Sequence, residues 1–192
     1  MAQAAHHRLT FDDYLRIEQD SGTKHEFVHG QVFAMSGGTP HHAGVTANVT
    51  ILLGQALRGK PCRVYSPDLR VHALATDIGT YADVTVICGS IELDPADPKG
   101  HTALNPRVLV EVLSPSTEDY DRGEKLGSYK QIPSLAEVLL VAHDRREVEI
   151  VRRENDGSWS RHIARDGESA KLASLGCEIE VAEIYRDPLT AM

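Results

Sequence analysis

The sequence predicts an α/β fold, in which a central mixed β-sheet is flanked by helices and extended by extra C-terminal antiparallel strands. Three observations lead to this prediction. Short runs of β-branched and aliphatic residues recur along the chain, as expected of buried strands. Two segments near the N-terminus have the apolar spacing and the capping residues of helices. A succession of alternating strands and turns follows residue 136.

The composition is that of one ordinary folded domain. The chain has 192 residues, 41% hydrophobic and 25% charged, so we expect a single domain over residues 1–192. The net charge of −8 disfavours non-specific adhesion to nucleic acid but leaves room for a nuclease with an acidic, metal-filled cleft. There is no run of roughly 18 apolar residues, and the first 14 residues lack the apolar core of a signal peptide. We therefore expect a cytoplasmic protein without a membrane segment.

The first predicted elements are a helix and a β-hairpin. Thr10 has the position of an N-cap for the helix. His25–Val28 alternates polar and apolar residues, and Gly30 precedes a second extended run, Gln31–Met35, which together predict a hairpin with a tight turn. Glu26 lies on the polar face of the first strand, where solvent exposure is the usual outcome. A functional role for Glu26 therefore needs support from other residues.

A second helix and an extended segment follow the hairpin. Apolar residues recur at helical spacing from His41–His42 to Leu57. Histidines at a helix entrance can contact phosphate or a metal, although exposed, solvated histidines are more common. Cys62–Ala73 is predicted to be one extended strand, bent at the proline that precedes Asp68, and Thr76–Gly79 is predicted to be a turn.

The next two predicted strands each contain an acidic residue. Tyr81–Ile87 is an apolar strand with Asp83 near its start, and Val108–Leu113 is an apolar strand interrupted by Glu111. An ionised carboxylate in a buried strand is costly unless a cation, a metal or several donors neutralise it. A metal-assisted hydrolytic site and a buried ion pair with a nearby Arg or Lys both remain open for Glu111.

A polar segment follows the strand that contains Glu111. Asp121 and Lys125 are one helical turn apart in this segment, so that both lie on one face of a helix. Taken alone, this spacing is typical of a solvent-exposed ion pair that contributes little stability. Considered together with Asp83 and Glu111, it makes Lys125 the candidate catalytic lysine.

The C-terminal third is predicted to add strands to the sheet. Glu137–Val141 and Glu147–Val151 form a predicted antiparallel pair, and Trp159–Ile163 is a third strand. Glu178–Tyr185 is expected to form a closing strand and a short helix.

The three cysteines have no recognisable pattern. Cys62, Cys88 and Cys177 are isolated, and an odd number without a CxxC spacing argues against a zinc site or a disulfide framework. We expect reduced, mostly buried thiols.

The two strand acids predict a metal site. Asp83 and Glu111 are on successive strands, which can be neighbours at one end of the sheet. Two converging carboxylates repel each other unless a divalent cation lies between them, and hard oxygen ligands suit Mg²⁺ or Mn²⁺. Such an ion polarises a phosphodiester and lowers the pKa of a bound water.

These motifs together resemble the Uma-two family of restriction-endonuclease-like proteins, which is part of the PD-(D/E)XK nuclease superfamily. The resemblance covers roughly residues 9–185. It is carried by Asp83, Glu111–Ser116, Asp121, Arg122, Lys125 and Tyr129, together with the hairpin around Glu26, the helix-entry His42 and the run Tyr65–Val71.

The resemblance implies a restriction-endonuclease-like fold and a set of site residues. The implied metal ligands are Asp83, Glu111 and the carbonyl of Val112. Glu26 is implied either as a further ligand or as a residue that orients one of the ligands. The implied catalytic residues are Asp83, Glu111, Lys125 and Glu26, and the implied substrate-binding residues are His42, Asp68 and Arg122. It further implies Mg²⁺ or Mn²⁺ as the cofactor and a nucleic acid as the substrate, with DNA favoured and RNA left open. A homodimer is expected, because cutting both strands of a duplex needs two sites.

Two positions depart from the family pattern. Ala82 stands where the superfamily has a proline before the aspartate, and a small residue there is compatible with the same turn. Leu113 stands where the superfamily has its catalytic lysine, so the lysine would come from the next helix, as Lys125 does.

The sequence therefore predicts a divalent-metal-dependent endonuclease. A non-catalytic, nuclease-like module for binding or oligomerisation is the main alternative, because the chain is acidic and Leu113 replaces the lysine. A hydrolase of a small phosphorylated molecule is a third possibility, although the sequence contains no GxGxxG or Walker pattern.

Overall fold

The computed structural model describes residues 8–189, which form a mixed arrangement of helices and strands. The first seven residues, which are part of the segment that lacks a signal core, lie outside the described residues. Within residues 8–189, no helix combines the length and the apolar character needed to cross a membrane.

The strands and helices have the following bounds in the described residues. The strands are β1 His25–Val28, β2 Gln31–Ala34, β3 Cys62–Tyr65, β4 Arg70–Ala73, β5 Ile78–Thr80, β6 Val84–Cys88, β7 Thr102–Ala103, β8 Val108–Val112, β9 Glu137–Val141, β10 Glu147–Arg153, β11 Trp159–Arg165, β12 Ser169–Leu172 and β13 Cys177–Glu180. The helices are α1 Phe11–Asp20, α2 Pro40–Ala56, α3 Glu118–Tyr120, α4 Leu126–Tyr129 and α5 Val181–Ile184, with a π-helical turn at Asp121–Lys125 and a 3₁₀ turn at Ala173–Leu175.

A six-stranded mixed sheet forms the centre of the fold. Its strand order is β11-β10-β9-β8-β6-β3, in which β8 and β9 are parallel and the other neighbours are antiparallel. All residues of β8 and β9 are buried, which explains why these strands are almost continuously apolar. The central mixed sheet and its extension by β9, β10 and β11 confirm the fold predicted from the sequence.

A second sheet carries the N-terminal hairpin. Its order is β2-β1-β5-β4-β7, and the register pairs Glu26 of β1 with Phe33 of β2. The Cys62–Ala73 segment is therefore not one bent strand, because a turn at Pro67 separates β3 in the central sheet from β4 in this sheet. The turn expected at Thr76–Gly79 begins earlier, and Ile78 already pairs within β5.

Two apolar cores cover the two faces of the central sheet. One contains alternate residues of β6 and β8, such as Val84 and Val110, and packs against α2 through Val49. The other contains Leu109 of β8 together with Tyr129 of α4, and it joins the central sheet to the second sheet. The strand alternation therefore places Glu111 on the face that is covered by the helical segment from α3 to α4.

The cysteine prediction is wrong for two of the three residues. Cys62 and Cys88 form a disulfide, with their Cα atoms 3.9 Å apart. They are direct partners in the antiparallel pairing of β3 with β6. The sequence gives no sign of this register, which is why their separation of 26 residues looked patternless. Cys177 is a free, partly buried thiol, as expected.

Candidate active site

A cleft of about 480 Å³ opens where β6 begins and β8 ends. Its lining contains most of the site residues that the sequence predicts. These are Glu26, His42, Asp83, Glu111, Val112 and Lys125, with Asp121 beside them.

The strand register brings the two predicted acids together. The antiparallel pairing of β6 with β8 ends at Val84 and Val110, and Asp83 and Glu111 are the residues directly beyond that pair. The N–H of Val112, which follows Glu111, reaches the Asp83 carboxylate. The Asp83 carboxylate also raises the pKa of Glu111, which agrees with this proximity.

Asp83 is held by groups from two elements. The backbone N–H of Val112 donates to Asp83 Oδ2 at 2.7 Å, and His42 Nε2 lies 3.4 Å from the same oxygen. The capping residue Thr39, whose hydroxyl accepts from the His42 backbone N–H, fixes this histidine in the first turn of α2. The hydrogen bond to Asp83 raises the pKa of His42 by more than its partial burial lowers it, which favours the imidazolium.

Glu111 is almost fully buried and has two close neighbours. Lys125 Nζ lies 3.1 Å from Glu111 Oε1, and the Tyr129 hydroxyl donates to the same oxygen at 2.6 Å. Burial raises the pKa of Glu111 to about 8, against the opposing effect of Lys125. The nearby basic partner that the sequence left open for Glu111 is therefore present, and it is Lys125.

Lys125 is enclosed by three carboxylates. Its ammonium lies 3.0 Å from Glu26, 3.1 Å from Glu111 and 3.5 Å from Asp121, and its side chain is only 6% exposed. A solvent-exposed Asp121–Lys125 pair, the alternative suggested by the spacing alone, is therefore wrong. Burial lowers the pKa of Lys125, but Glu111 and the other acids raise it by more, so the ammonium keeps its charge.

Glu26 reaches the cleft from the second sheet. It accepts a hydrogen bond from the hydroxyl of Thr80 on β5, the strand that pairs with β1. Its side chain is 13% exposed, which is far from the solvated outcome that is usual for the polar face of a hairpin. A functional role for Glu26 needed support from other residues, and its contact with Lys125 provides that support.

The donor set of the cleft suits a divalent cation. Four carboxylates, Glu26, Asp83, Glu111 and Asp121, line it together with the single ammonium of Lys125. Oxygen donors with excess negative charge are the groups that Mg²⁺ and Mn²⁺ prefer. Residues 8–189 contain no group of three or more His, Cys, Asp or Glu side chains already in a metal-binding arrangement. The donors are of the type that Mg²⁺ or Mn²⁺ binds, but their side chains have to move before they can coordinate the ion together.

The raised pKa of Glu111 predicts how the stability of the metal-free protein depends on pH. The folded state retains the Glu111 proton from the ordinary value of 4.5 up to about 8, whereas the unfolded chain releases it near 4.5. The unfolding free energy should therefore fall as the pH rises through this window, by at most about 1.4 kcal/mol per unit. Urea unfolding with a chelator between pH 5 and 9 measures this slope.

The difference between the wild type and Glu111→Gln isolates the contribution of Glu111 to that slope. Because Gln does not titrate, the variant should lose less stability than the wild type as the pH rises. Parallel curves for the two proteins would contradict the raised pKa.

Two of the predicted substrate-binding residues lie elsewhere. Asp68 is exposed and pairs with Lys24 at 2.5 Å. Arg122 binds Glu118 and Glu149, at 2.7 and 2.5 Å. Neither residue lines the cleft. A role in substrate binding stays a prediction for both.

The sequence argument missed two tyrosines of the cleft region. Tyr129, noted only as part of the family pattern, donates to Glu111, and its position one helical turn after Lys125 was the available signal. Tyr120 lines the cleft, and its buried hydroxyl has no hydrogen-bond partner among residues 8–189. Nothing in the sequence marks Tyr120, because its position depends on the π-helical turn that follows it.

Several known proteins are similar to this chain. Residues 11–182 match the model of the Uma2 family, described as "Putative restriction endonuclease". The chain is 34% identical over 180 residues to "Uncharacterized protein slr1290" of Synechocystis sp., covering 93% of this chain and 92% of that protein. It is 29% identical over 151 residues to "Uncharacterized protein sll1609" of the same organism, covering 79% and 84%.

A solved structure shares the fold. It is the crystal structure of "a putative nuclease belonging to DUF820" from Anabaena variabilis, with a TM-score of 0.72 and 15% identity. The superposition covers 92% of this chain and 97% of that chain. The match of the family model over most of the chain, together with this shared architecture, shows that the chain belongs to the Uma2 family and is a nuclease-like protein with the restriction-endonuclease-like fold.

Proposed function

We propose that the chain is a divalent-metal-dependent endonuclease that hydrolyses phosphodiester bonds of DNA. The observation that carries the proposal is that Asp83 and Glu111, from adjoining ends of β6 and β8, line one cleft that also contains Lys125. Two acids from the ends of neighbouring strands, with a lysine beside them, are the elements of metal-assisted phosphodiester hydrolysis. Membership in a family described as restriction endonucleases supports the same reaction.

Each residue has a separate task in the proposed reaction. Asp83, Glu111 and the carbonyl of Val112 would hold Mg²⁺ or Mn²⁺, with Glu26 available to complete the set. The bound cation supplies charge that polarises the phosphodiester and makes a bound water more acidic. Lys125, which keeps its proton, offsets negative charge on the phosphate in the transition state. His42, which lines the same cleft 3.4 Å from Asp83, would add a second donor to the phosphate.

A non-catalytic role is favoured by one observation. The Lys125 ammonium already neutralises part of the acidic cluster, so these acids have a counter-ion without a metal. In that case the cleft would be a structural ion-pair network inside a nuclease-like binding module. Titration calorimetry with Mn²⁺ separates the two functions, because only the proposed enzyme requires the metal.

The direct test is cleavage of supercoiled plasmid DNA with Mg²⁺ or Mn²⁺. Asp83→Asn keeps an oxygen that can accept from the Val112 N–H but removes the charge that would bind the cation. We expect the variant to lose cleavage by about 10³-fold, because a bound metal supplies several kcal/mol of transition-state stabilisation. Gel analysis of nicked and linear product over time measures this loss.

The matched control is another aspartate changed in the same way. Asp166 is exposed, pairs with Arg146 at 3.2 Å and does not line the cleft. Asp166→Asn should cleave as the wild type does. If the wild type cleaves neither DNA nor RNA with either metal, or if Asp83→Asn cleaves normally, the proposed function is overturned. Preferential cleavage of RNA would show that the substrate is RNA and not DNA.

Dimerisation and a cytoplasmic location are part of the proposal. Two sites are needed to cut both strands of a duplex, so a homodimer should produce linear plasmid without a long-lived nicked intermediate. Cellular DNA as the substrate places the enzyme in the cytoplasm, where disulfides are rare. The Cys62–Cys88 disulfide would be an exception to that rule, and it links two strands that the backbone pairing of β3 with β6 already joins.

A further inference from the structure

Both strand acids are held through one of their two carboxylate oxygens. Within residues 8–189, Glu111 contacts Tyr129 and Lys125 through Oε1. The contacts of Asp83 from the Val112 N–H and from His42 fall on Oδ2. The second oxygen of each acid is therefore left for a ligand in the cleft.

Tyr129 has the geometry to determine which oxygen of Glu111 is engaged. It lies in α4 with 1% of its surface exposed, so its ring has little freedom to turn. Lys125 also contacts Oε1, but its ammonium is shared with Glu26 and Asp121, whereas the phenol donates to Glu111 at 2.6 Å.

We propose that Tyr129 is a positioning residue that holds Glu111 Oε1 and thereby presents Oε2 to a divalent cation in the cleft. This inference rests on the proposed function, because it gives a task to a residue that does not itself bind the metal. Groups that orient metal ligands by hydrogen bonding affect metal affinity or activity by about 10- to 100-fold when they are removed.

The test is Tyr129→Phe, which removes only the hydroxyl. The ring would continue to fill the core and to lie beneath Lys125, whose ammonium is 6.0 Å from its centre. We expect the affinity for Mn²⁺, measured by titration calorimetry, to fall by about 10- to 100-fold. The rate of plasmid cleavage at subsaturating Mn²⁺ should fall by a similar factor and should recover in part at high Mn²⁺.

Tyr185→Phe is the matched control. The Tyr185 hydroxyl donates to the carbonyls of Ala142 and Glu147 at 2.8 and 2.7 Å, and the residue does not line the cleft. This variant should lose stability, by urea unfolding, without any change in Mn²⁺ affinity. It therefore shows the effect of deleting a purely structural tyrosine hydroxyl.

The possible outcomes separate this inference from the proposed function. A Tyr129→Phe variant with wild-type Mn²⁺ affinity would overturn the role of Tyr129 alone. Weakened Mn²⁺ binding in a protein that cleaves no nucleic acid would support Tyr129 and overturn the proposed function. A wild type that binds no Mn²⁺ would overturn both.

Discussion

Glu111→Gln is expected to abolish Mg²⁺-dependent cleavage and at the same time to leave the protein as stable as the wild type, or more stable, at pH 8. The loss of activity should reach at least about 10³-fold, equivalent to about 4 kcal/mol, because an amide is a poor ligand for a hard cation. Stability should not fall, because burial makes the ionised carboxylate unfavourable and raises its pKa to about 8. The amide oxygen can still accept from Tyr129, and Lys125 retains Glu26 and Asp121 as partners.

Plasmid cleavage at pH 8 measures the loss of activity. Urea unfolding at pH 8 with a chelator measures the stability. Glu183→Gln is the matched control, because Glu183 is exposed and pairs only loosely with Arg186 at 3.5 Å. It should change neither property. Retained cleavage in Glu111→Gln would remove Glu111 from the metal site, and a large loss of stability would show that its charge is mainly structural.

Lys125→Met is expected to destabilise the metal-free protein by about 3 kcal/mol and to lower cleavage by about 10²-fold. The substitution leaves Glu26, Glu111 and Asp121 close together without their cation, and removing one partner of a buried ion pair is strongly destabilising. Mn²⁺ should restore most of the lost stability, because a divalent ion can neutralise the same carboxylates. Mn²⁺ affinity should therefore be at least that of the wild type, although activity is lost.

Urea unfolding with and without Mn²⁺, together with plasmid cleavage, tests these expectations. Lys130→Met is the control at the end of the same helical segment, where the ammonium lies 5.7 Å from the centre of the Trp159 ring. Its effect on stability should stay within about 1 kcal/mol, and its activity should be normal. Normal cleavage by Lys125→Met would show that the lysine acts only as a counter-ion.

The sequence predicted the parts of the site that depend on local pattern. Asp83 and Glu111 stood out because each interrupts an apolar strand, and consecutive strands are frequently neighbours. Lys125 stood out through its spacing from Asp121. The structure places these residues in one cleft, and their catalytic roles stay predictions.

The parts that the sequence did not reveal depend on register and on long-range packing. His42 reaches Asp83 only because α2 packs across the central sheet. The division of the Cys62–Ala73 segment between two sheets has no signature in hydrophobic alternation, which predicts a strand but not the sheet that it joins. The Cys62–Cys88 bond was missed for the same reason, since a pairing register determines it.

The π-helical turn at Asp121–Lys125 has a consequence for the local folding of the segment between β8 and β9. The helical pieces around it are only three and four residues long, and Gly123 and Gly127 reduce their intrinsic helicity further. Backbone propensity is thus too weak to maintain this segment, so its order depends on the burial of Leu126 and Tyr129 in the core and on the contacts of Lys125 with the acids of the cleft. The helical order of residues 118–129 is consequently linked thermodynamically to the charged groups and ions that occupy the cleft beside this segment.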